Sequence, residues 1–288
     1  MTPRTILITG SVGQLGFELT RALAPHGNIA AFDHATLDLG DAAALVAAVR
    51  SVRPQLIVNA AAYTAVDRAE SEPERAHAVN ATAPGIFAEE ARRSGALLIH
   101  YSTDYVFDGT ASAPYTEDAA PAPLNVYGRS KLAGERAIAA SGAASLVLRT
   151  SWVYGLRGSN FLLTIRRLAA ERDELRIVSD QFGVPNWSRA LAEATAQLVS
   201  RGLSALTERA GLYHMSATGS TSWFDFARAI VGNAARPRVV PISTADYLTA
   251  ARRPAYAVLS SAKLERSFDV KLPDWHELLT RCLQTATH

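Results

Sequence analysis

Short apolar runs alternate with longer helix-forming stretches through the first half of the chain. The runs are bounded by glycine, proline or polar residues and cover residues 5–9, 28–32, 55–59, 96–102 and 145–150. Runs of this length, rich in Ile, Val and Leu, are typical of strands that are buried on both faces of a parallel sheet. We therefore predict five strands in these positions.

The stretches between the runs carry apolar residues at helical spacing. Leu15, Leu19 and Leu23 recur at every fourth position and share one face of a helix. Strand–helix alternation of this kind predicts an α/β fold with a doubly wound, Rossmann-like parallel sheet. We predict helices over residues 14–24, 41–50 (capped by Asp41) and 74–94, and a fourth that contains Tyr127 and Lys131.

The alternation changes after about residue 150. We predict a first domain over residues 1–150 and a smaller C-terminal region over 151–288, some of whose elements return to the first domain. Within that region we predict a helix over 160–172, a strand over 175–179, helices over 188–201 and 222–234, and then a tail punctuated by prolines.

Composition narrows the class of protein. Of the 288 residues, 48% are hydrophobic and 19% are charged, which is below the usual share of about 25% and argues against disorder. The formal charge of +2, without a basic run, predicts no nucleic-acid partner. No apolar segment reaches about 18 residues and no signal peptide is recognisable, so we predict a cytoplasmic protein without a membrane partner.

The chain has a single cysteine, Cys282. One cysteine excludes a disulfide within the chain, which agrees with a reducing compartment. A reactive thiol is the alternative, but no histidine-rich or basic motif surrounds this residue to lower its pKa.

A glycine-rich turn follows the first strand. "ITGSVGQLG" places Gly10, Gly13 and Gly16 at G-x-x-G-x-x-G spacing between that strand and the first helix, rather than the commoner G-x-G-x-x-G. Glycine allows the backbone to approach a ligand, and the N–H groups at a helix start favour a pyrophosphate. We predict a dinucleotide-binding domain over residues 1–150; the simpler alternative is a tight strand–helix turn.

Asp33 ends the second predicted strand, where a carboxylate can accept hydrogen bonds from the adenosine ribose. Because it would repel a 2′-phosphate, the residues favour NADH over NADPH, although His34 could soften this preference. Asp38 and Leu39 would lie along the edge of the bound adenine. Alternatively, Asp38 is a turn residue or a helix-capping residue. The small residues of "NAAAYT" (59–64) let the chain run close to a flat ligand or, alternatively, pack helix against sheet.

Candidate catalytic residues follow in order along the chain. "HYSTDYVFDG" brings Ser102, Thr103 and Asp104 to the carboxyl edge of the sheet, and Tyr127 stands four residues before Lys131 in a predicted helix. Two unit charges about 4 Å apart interact by roughly 4 kcal/mol at an effective dielectric constant near 20, so the ammonium should hold the pKa of the phenol below 10 despite burial. Such a phenol could donate a proton near neutral pH.

Longer motifs add a resemblance to a known family. The matching stretches are "GQLG", "NAAAYTAVDRAESEPE", "HYSTDYVFDG", "PLNVYGRSKLAGE", "RTSWVYG", "DQFGVP", "GLYH" and "ARRP". With them the chain resembles the extended short-chain dehydrogenase/reductase superfamily and, within it, the dTDP-4-dehydrorhamnose reductases. That family reduces the 4-keto group of dTDP-6-deoxy-L-lyxo-4-hexulose to dTDP-L-rhamnose with NADPH or NADH. The resemblance therefore implies a dTDP-sugar substrate, bound mainly by residues 151–288.

The resemblance also implies roles for individual residues. Tyr127 would donate the proton, Lys131 would tune it and hold the nicotinamide ribose, and Thr103 would bind the substrate oxygen, with Ser102 as its alternative. The implied substrate-binding residues are Thr103, Asp104, Trp152, Asn160 and Arg253. The implied cofactor-binding residues are Gly10, Gly13, Gln14, Leu15, Gly16, Asp33, Asp38, Leu39, Ala60, Ala61, Ala62, Tyr63, Thr64, Tyr101, Tyr127 and Lys131.

The chain departs from the family pattern at two places. Asn186 stands where relatives often have threonine after the proline of "DQFGVP", which puts that contact in doubt. Some relatives are thought to bind Mg²⁺ between subunits; Glu18 matches one such carboxylate, but Arg189 replaces another, so we predict no metal. A homodimer is compatible with the sequence. The alternative functions are another reductase or epimerase of sugar nucleotides, or a non-catalytic regulatory subunit on this fold.

Overall fold

The computed structural model describes residues 4–232 and 236–286. Its strands are β1 (Thr5–Thr9), β2 (Asn28–Phe32), β3 (Leu56–Asn59), β4 (Leu97–Thr103), β5 (Ser145–Thr150), β6 (Val153–Tyr154), β7 (Glu174–Val178), β8 (Phe182–Gly183), β9 (Asn186–Trp187), β10 (Gly211–His214), β11 (Thr221–Ser222) and β12 (Arg238–Ile242). Its α-helices are α1 (Gln14–Leu23), α2 (Ala42–Val52), α3 (Val66–Ala69), α4 (Pro73–His77), α5 (Ala83–Ser94), α6 (Val126–Ser141), α7 (Phe161–Glu171), α8 (Ser188–Ser200), α9 (Leu203–Glu208), α10 (Trp223–Val231), α11 (Ala262–Phe268) and α12 (Trp275–Thr285).

A parallel sheet forms the centre of the molecule. Within the described ranges, its strand order is β2-β1-β3-β4-β5-β10, and each neighbouring pair is parallel. This confirms the predicted Rossmann-like α/β fold. The order reverses between β1 and β3, and in open α/β sheets ligands bind outside the carboxyl ends of the strands at such a point.

Helices cover both faces of this sheet. On one face, Leu15, Leu19 and Leu23 of α1 are buried in a core shared with α8 and α12. On the other face, α2 and α5 pack over β1, β3 and β4. The strand β4 is buried along its whole length, as a central strand covered on both faces should be.

The predicted boundaries agree with the observed ones to within about two residues for the central strands and for most helices. The predicted helix over 74–94 differs, because a π-helical turn at Ala78–Thr82 separates α4 from α5. The carbonyl oxygen of Asn80 in this turn lies against α6, where a Cβ on Gly134 would come within 2.1 Å of it. This turn therefore packs against a helix that lies more than 50 residues further along the chain.

The C-terminal tail has more regular structure than the sequence predicted. The strand β12 pairs with β7 in a separate sheet, and α11 and α12 follow it. The predicted helix over 222–234 is observed as Trp223–Val231, and its last residues, 233–234, lie outside the described residues.

Candidate active site

A cleft of about 890 Å³ opens at the carboxyl ends of the strands of the central sheet. It collects residues from the glycine turn, the ends of β2, β3 and β4, helix α6 and the chain after β5. Most of the predicted site residues form its wall: Gly10, Gly13, Gln14, Leu15, Asp33, Asp38, Leu39, Ala60, Ala61, Ala62, Tyr63, Thr64, Tyr101, Thr103, Asp104, Tyr127, Lys131, Trp152 and Asn160. Two predicted residues, Gly16 and Arg253, are not among the residues that line it.

The glycine turn leaves hydrogen-bond donors free at one end of this cleft. Gly13 is the N-cap of α1 and offers no side chain to the first N–H groups of the helix. Gly10 has a φ of 71°, a left-handed value, and a Cβ there would lie 3.0 Å from Ala61 Cα. Gly16 is set behind the turn, where a Cβ would lie 2.0 Å from the carbonyl oxygen of Gly10. The turn therefore fits a pyrophosphate, and Gly16 contributes by packing rather than by contact.

Charged groups gather where the adenosine ribose is expected. Asp33 accepts hydrogen bonds from the amide and hydroxyl of Thr36 at 2.9 and 2.8 Å, and these bonds lower the pKa of its carboxyl. Asp38 accepts from Gly40 N at 2.8 Å and pairs with Arg75 at 2.7 Å. Asp38 is thus a turn residue, as the alternative interpretation had it, and also part of the cleft wall. Arg75 lines the cleft as well and was not recognised from the sequence.

Asn80 connects the segment after β3 to the helix that carries Tyr127. Its side-chain oxygen accepts from Tyr63 N at 2.8 Å, and its amide donates to Tyr63 O and to Ser130 Oγ, both at 3.0 Å. These contacts fix the position of residues 60–64, which line the cleft. Asn80 itself is 1% exposed, so its role is to position its neighbours.

Helix α6 starts at a position set by two capping contacts. Asn125 accepts from Gly128 N at 2.8 Å as N-cap, and Glu70 accepts from Val126 N at 2.7 Å. Gly128 lets this first turn sit against the loop after β4, because a Cβ there would lie 2.2 Å from the carbonyl oxygen of Tyr105. Tyr127 is in this turn, so its phenol is held above the end of β4.

Tyr127 and Lys131 lie one turn apart on α6 and both face the cleft. Lys131 Nζ donates to Tyr101 O at 2.6 Å and lies 3.2 Å from His100 Nε2. Burial lowers the pKa of Lys131 to about 8 despite the opposing effect of Glu135. Burial also lowers the pKa of His100 well below its ordinary value, so this imidazole is neutral.

The expected lowering of the Tyr127 pKa by Lys131 is not observed. Burial raises the pKa of Tyr127 to about 12; a hydrogen bond with Thr103 opposes the rise, and the nearby Asp104 carboxyl adds to it. Burial disfavours the phenolate, an effect that the sequence alone underestimated. At neutral pH the phenol therefore keeps its proton.

The two hydroxyls at the end of β4 have different partners. Ser102 Oγ donates to Glu135 Oε1 at 2.5 Å. Arg149 donates to the two carboxylate oxygens of Glu135 at 2.9 and 2.6 Å, which forms a buried ion pair. Thr103 instead contacts Tyr127 and donates to Asp104 Oδ1 at 3.0 Å. The geometry thus favours Thr103 over Ser102 as the hydroxyl that acts with the tyrosine.

Asp104 is a buried acid at the floor of the cleft. Its side chain is 2% exposed and its Oδ2 atom has no hydrogen-bond partner among the described residues. Burial raises the pKa of this carboxyl to about 7, while the Thr103 hydroxyl and two backbone N–H groups oppose the rise.

Aromatic rings form the opposite wall of the cleft. Trp152, with a φ of 41°, stacks on Trp223 with ring centroids 3.5 Å apart and planes at 9°. Gly183 leaves room for this ring, since a Cβ there would lie 2.5 Å from Trp152 Cε2. Trp223 lines the cleft but was missed, because it lies far along the chain at the start of α10.

Asn160 and Arg253 are both bound to protein groups. Asn160 caps α7 by accepting from Leu163 N at 3.1 Å, and its amide donates to the carbonyl oxygen of Gly155 at 3.0 Å. Arg253 forms two hydrogen bonds to Asp67, at 3.1 and 2.7 Å. The Arg253 guanidinium is therefore not part of the cleft wall. The carboxylate of Asp67 neutralises it, a partner that the sequence did not indicate.

The residues that departed from the family pattern have structural roles here. Asn186 is buried and bonds Ser151, Val184 and Ala217 rather than facing the cleft. Arg189 of α8 pairs with Glu193 at 3.0 Å. Residues 4–232 and 236–286 contain no group of His, Cys, Asp or Glu that could hold a metal ion.

Two further features bear on the sequence analysis. Cys282 is buried, and burial raises the pKa of its thiol to about 12, so a reactive thiolate is not favoured there. None of the helices in the described residues combines the length and the apolar character that a membrane crossing requires.

Comparison with known proteins places this cleft in a family. The family described as "RmlD substrate binding domain" matches residues 4–288. The dTDP-4-dehydrorhamnose reductase of Burkholderia thailandensis is 47% identical over 294 aligned positions, covering 97% of this chain and 98% of that protein. The enzyme of the same name from Escherichia coli K12 is 48% identical, with 96% of each chain covered. The chain belongs to the dTDP-4-dehydrorhamnose reductase family.

A solved member of the family shows the same architecture. The crystal structure of dTDP-4-dehydrorhamnose reductase from Bacillus anthracis superposes with a TM-score of 0.92 at 38% identity, covering 99% of this chain and 100% of that one. That protein was crystallised in complex with NADP. Membership of an NAD(P)H-dependent reductase family agrees with a cleft that combines a glycine turn, a tyrosine and a lysine.

Proposed function

We propose that this chain is a dTDP-4-dehydrorhamnose reductase, which uses NAD(P)H to reduce the 4-keto group of dTDP-6-deoxy-L-lyxo-4-hexulose to dTDP-L-rhamnose. One observation carries the proposal: Thr103, Tyr127 and Lys131 line the same cleft as the glycine turn at Gly10. The residues near β1 and β3 suit a dinucleotide, whose nicotinamide supplies a hydride when bound. We infer that residues 1–150 chiefly bind this cofactor and residues 151–288 chiefly bind the sugar nucleotide.

In the proposed mechanism, Tyr127 donates the proton that the substrate needs. As the carbonyl carbon accepts a hydride, its oxygen becomes an alkoxide, which takes the phenolic proton and leaves the alcohol. A phenol with a pKa of about 12 is fully protonated beforehand and transfers its proton only to a strong base, such as this alkoxide. The neighbouring Lys131 ammonium then stabilises the phenolate.

Lys131 has one further contact to offer. An ammonium has three N–H donors. One is directed at Tyr101 O, which leaves a donor for a ribose hydroxyl of the cofactor. Lys131 is thereby fixed below the tyrosine, and its charge is ready when the phenolate forms. Thr103 completes the set by binding the substrate oxygen, which positions it for reaction.

We assign the substrate to the half of the cleft beyond Tyr127. Trp152 and Trp223 supply a flat apolar wall there, and Asp104 supplies a polar atom without a protein partner. Asn160 lies at the rim. Arg253 lies behind the cleft wall, where it approaches Tyr105. To reach a diphosphate it would have to break its ion pair with Asp67.

A steady-state assay tests the proposal directly. Purified protein is mixed with the keto-sugar nucleotide and NADPH or NADH, and nicotinamide absorbance is followed. We expect one reduced nicotinamide to be oxidised for each alcohol formed; an epimerase would give product without net oxidation, and a regulatory subunit would give neither.

Replacement of the proton donor is the matched control for that assay. Tyr127→Phe should keep NADPH binding but lower kcat by about 10²- to 10⁴-fold, because general acid catalysis is lost. An unchanged kcat would remove Tyr127 from the mechanism. A homodimer and a cytoplasmic location stay predictions, which sedimentation velocity and cell fractionation check.

A further inference from the structure

The ion pair between Arg75 and Asp38 stands at the adenosine end of the cleft. Both residues line it, together with Asp33 and His34. Asp33 marks the position of the ribose 2′-hydroxyl, because an acid at the end of the second strand accepts from that group in dinucleotide-binding folds. The charges around this position decide whether a 2′-phosphate can be accepted.

The usual arrangement for a 2′-phosphate, an arginine close after the second strand, is absent from this turn. The residues that follow Asp33 are His34, Ala35 and Thr36, and the carboxylates of Asp33 and Asp38 would both repel a phosphate. Arg75 is the one arginine among the residues that line the described cleft, and it comes from α4 instead.

The ion pair between Arg75 and Asp38 can break at little cost in free energy. The two side chains are 40% and 42% exposed, and exposed ion pairs of this kind contribute little to stability. Asp38 does not depend on Arg75 for its position, because it also accepts from Gly40 N at 2.8 Å. A 2′-phosphate brings nearly two negative charges and three acceptor oxygens, and therefore competes well with one carboxylate for the guanidinium.

We propose that Arg75 determines whether this enzyme can use NADPH: it stays paired with Asp38 when NADH is bound and turns to the 2′-phosphate when NADPH is bound. This inference rests on the proposed function only in so far as the cleft binds a reduced nicotinamide dinucleotide. It replaces the simpler expectation that Asp33 alone favours NADH.

Direct binding measurements separate this inference from the reductase activity. Dissociation constants for NADPH and NADH are measured by isothermal titration calorimetry, without the sugar nucleotide. Arg75→Gln should raise the Kd for NADPH by about 10- to 100-fold, because a charge-assisted hydrogen bond is lost, and should leave the Kd for NADH within about threefold. Arg75→Lys should recover part of the NADPH affinity, since the charge returns without the planar fork.

Asp38→Asn should act in the opposite direction. It frees Arg75 and removes one repelling charge, so the Kd for NADPH should fall by about three- to tenfold while the Kd for NADH changes little. Arg167→Gln is the matched control: this arginine forms an exposed pair with Glu171 outside the cleft and should change neither constant.

The outcomes are distinct. An equal effect of Arg75→Gln on NADPH and NADH, or no effect on either, would overturn the inference while leaving the reductase assignment intact. Failure of the unaltered protein to bind either dinucleotide would overturn the proposed function itself. If Arg75→Gln does not fold, Arg75→Lys and Asp38→Asn still decide the question.

Discussion

At the scale of the residue, the Thr103 hydroxyl connects several groups at the end of β4. It accepts from Tyr105 N at 3.2 Å, donates to Asp104 Oδ1 at 3.0 Å and contacts Tyr127. A hydroxyl has one hydrogen to donate. While the Thr103 hydroxyl donates this hydrogen to Asp104, it cannot donate it to the substrate oxygen. If Asp104 is protonated, the Thr103 hydrogen becomes available to the substrate.

Replacing each hydroxyl at the end of β4 tests which one acts. Thr103→Val keeps the shape of the side chain but removes the hydroxyl, and we expect kcat to fall by about 10²-fold, as for loss of one donor to a developing oxyanion. Ser102→Ala should lower kcat by less than about fivefold, because its hydroxyl is directed at Glu135. Thr103→Ser should restore most of the rate. A larger loss in Ser102→Ala than in Thr103→Val would contradict the assignment.

Asp104 should make the protein less stable as the pH rises. Its pKa increases from 3.8 to about 7 on folding, so the folded state holds the proton more tightly than the unfolded state. The stability linked to this proton is present below pH 4 and is lost as the pH rises toward 7. Asp104→Asn cannot lose that proton, and relative to the unaltered protein it should gain about 3 kcal/mol in free energy of unfolding between pH 5 and pH 8.

Urea denaturation at the two pH values measures this difference. Asp269→Asn is the control, because the side chain of Asp269 is 98% exposed and should give the same difference as the unaltered protein. Equal pH dependence in Asp104→Asn and the unaltered protein would show that the acid is already ionised at pH 5.

At the scale of the element, α6 is held in place by close backbone approaches rather than by a broad apolar face. Gly128 and Gly134 leave room for the carbonyl oxygens of Tyr105 and Asn80. Below the helix, Glu135 joins Arg149 and Ser102 in a buried network. Removal of one partner of such a pair is costly, because the other charge stays buried and unpaired.

A methyl group at position 134 should therefore disturb catalysis from a distance. Gly134→Ala places a Cβ 2.1 Å from a backbone oxygen, so α6 must shift. We expect a loss of about 1–3 kcal/mol in free energy of unfolding, as for overpacking, together with a fall in kcat because Lys131 moves with the helix. Gly95→Ala is the control: its φ of 74° costs about 1 kcal/mol, but no atom lies within 4 Å and kcat should not change.

At the scale of the whole molecule, residues after 150 are joined to the central sheet and to α6 by contacts around the cleft. The strand β10 extends the central sheet beside β5. Asn125, the cap of α6, donates to Arg252 O at 2.8 Å, and Asp67 accepts from Arg253. The segment around Arg252 and Arg253 is therefore joined to the start of the helix that carries Tyr127.

Trp223→Ala tests whether that wall serves the sugar nucleotide. Without its stacking partner, Trp152 loses support for a backbone conformation with positive φ, which is uncommon for a bulky residue. We expect KM for the keto-sugar nucleotide to rise about tenfold, with the Kd for NADPH unchanged, while Trp223→Phe keeps most of the stack. A parallel rise in the NADPH constant would indicate general disruption of the cleft instead.

Most of the fold could be predicted from local patterns. The apolar runs indicated strands that are buried on both faces, and the leucine stripe of α1 indicated a helix that is buried on one face. The two kinds of burial give hydrophobic residues different spacings along the sequence. The tail was harder to interpret, because β12 depends on pairing with β7 more than 60 residues earlier. The π-helical turn at Ala78–Thr82, which packs against α6, was not predicted either.

The sequence by itself determined the parallel α/β class, the glycine turn and the order of Thr103, Tyr127 and Lys131, because these depend on residue type and short spacing. Only the tertiary structure decided how those groups behave. Burial raised the pKa of Tyr127 against the sequence argument, Asp67 took up Arg253, and α4 and α10 brought Arg75 and Trp223 to the cleft. Desolvation and long-range pairing depend on what surrounds a group in space, and local spacing does not record that.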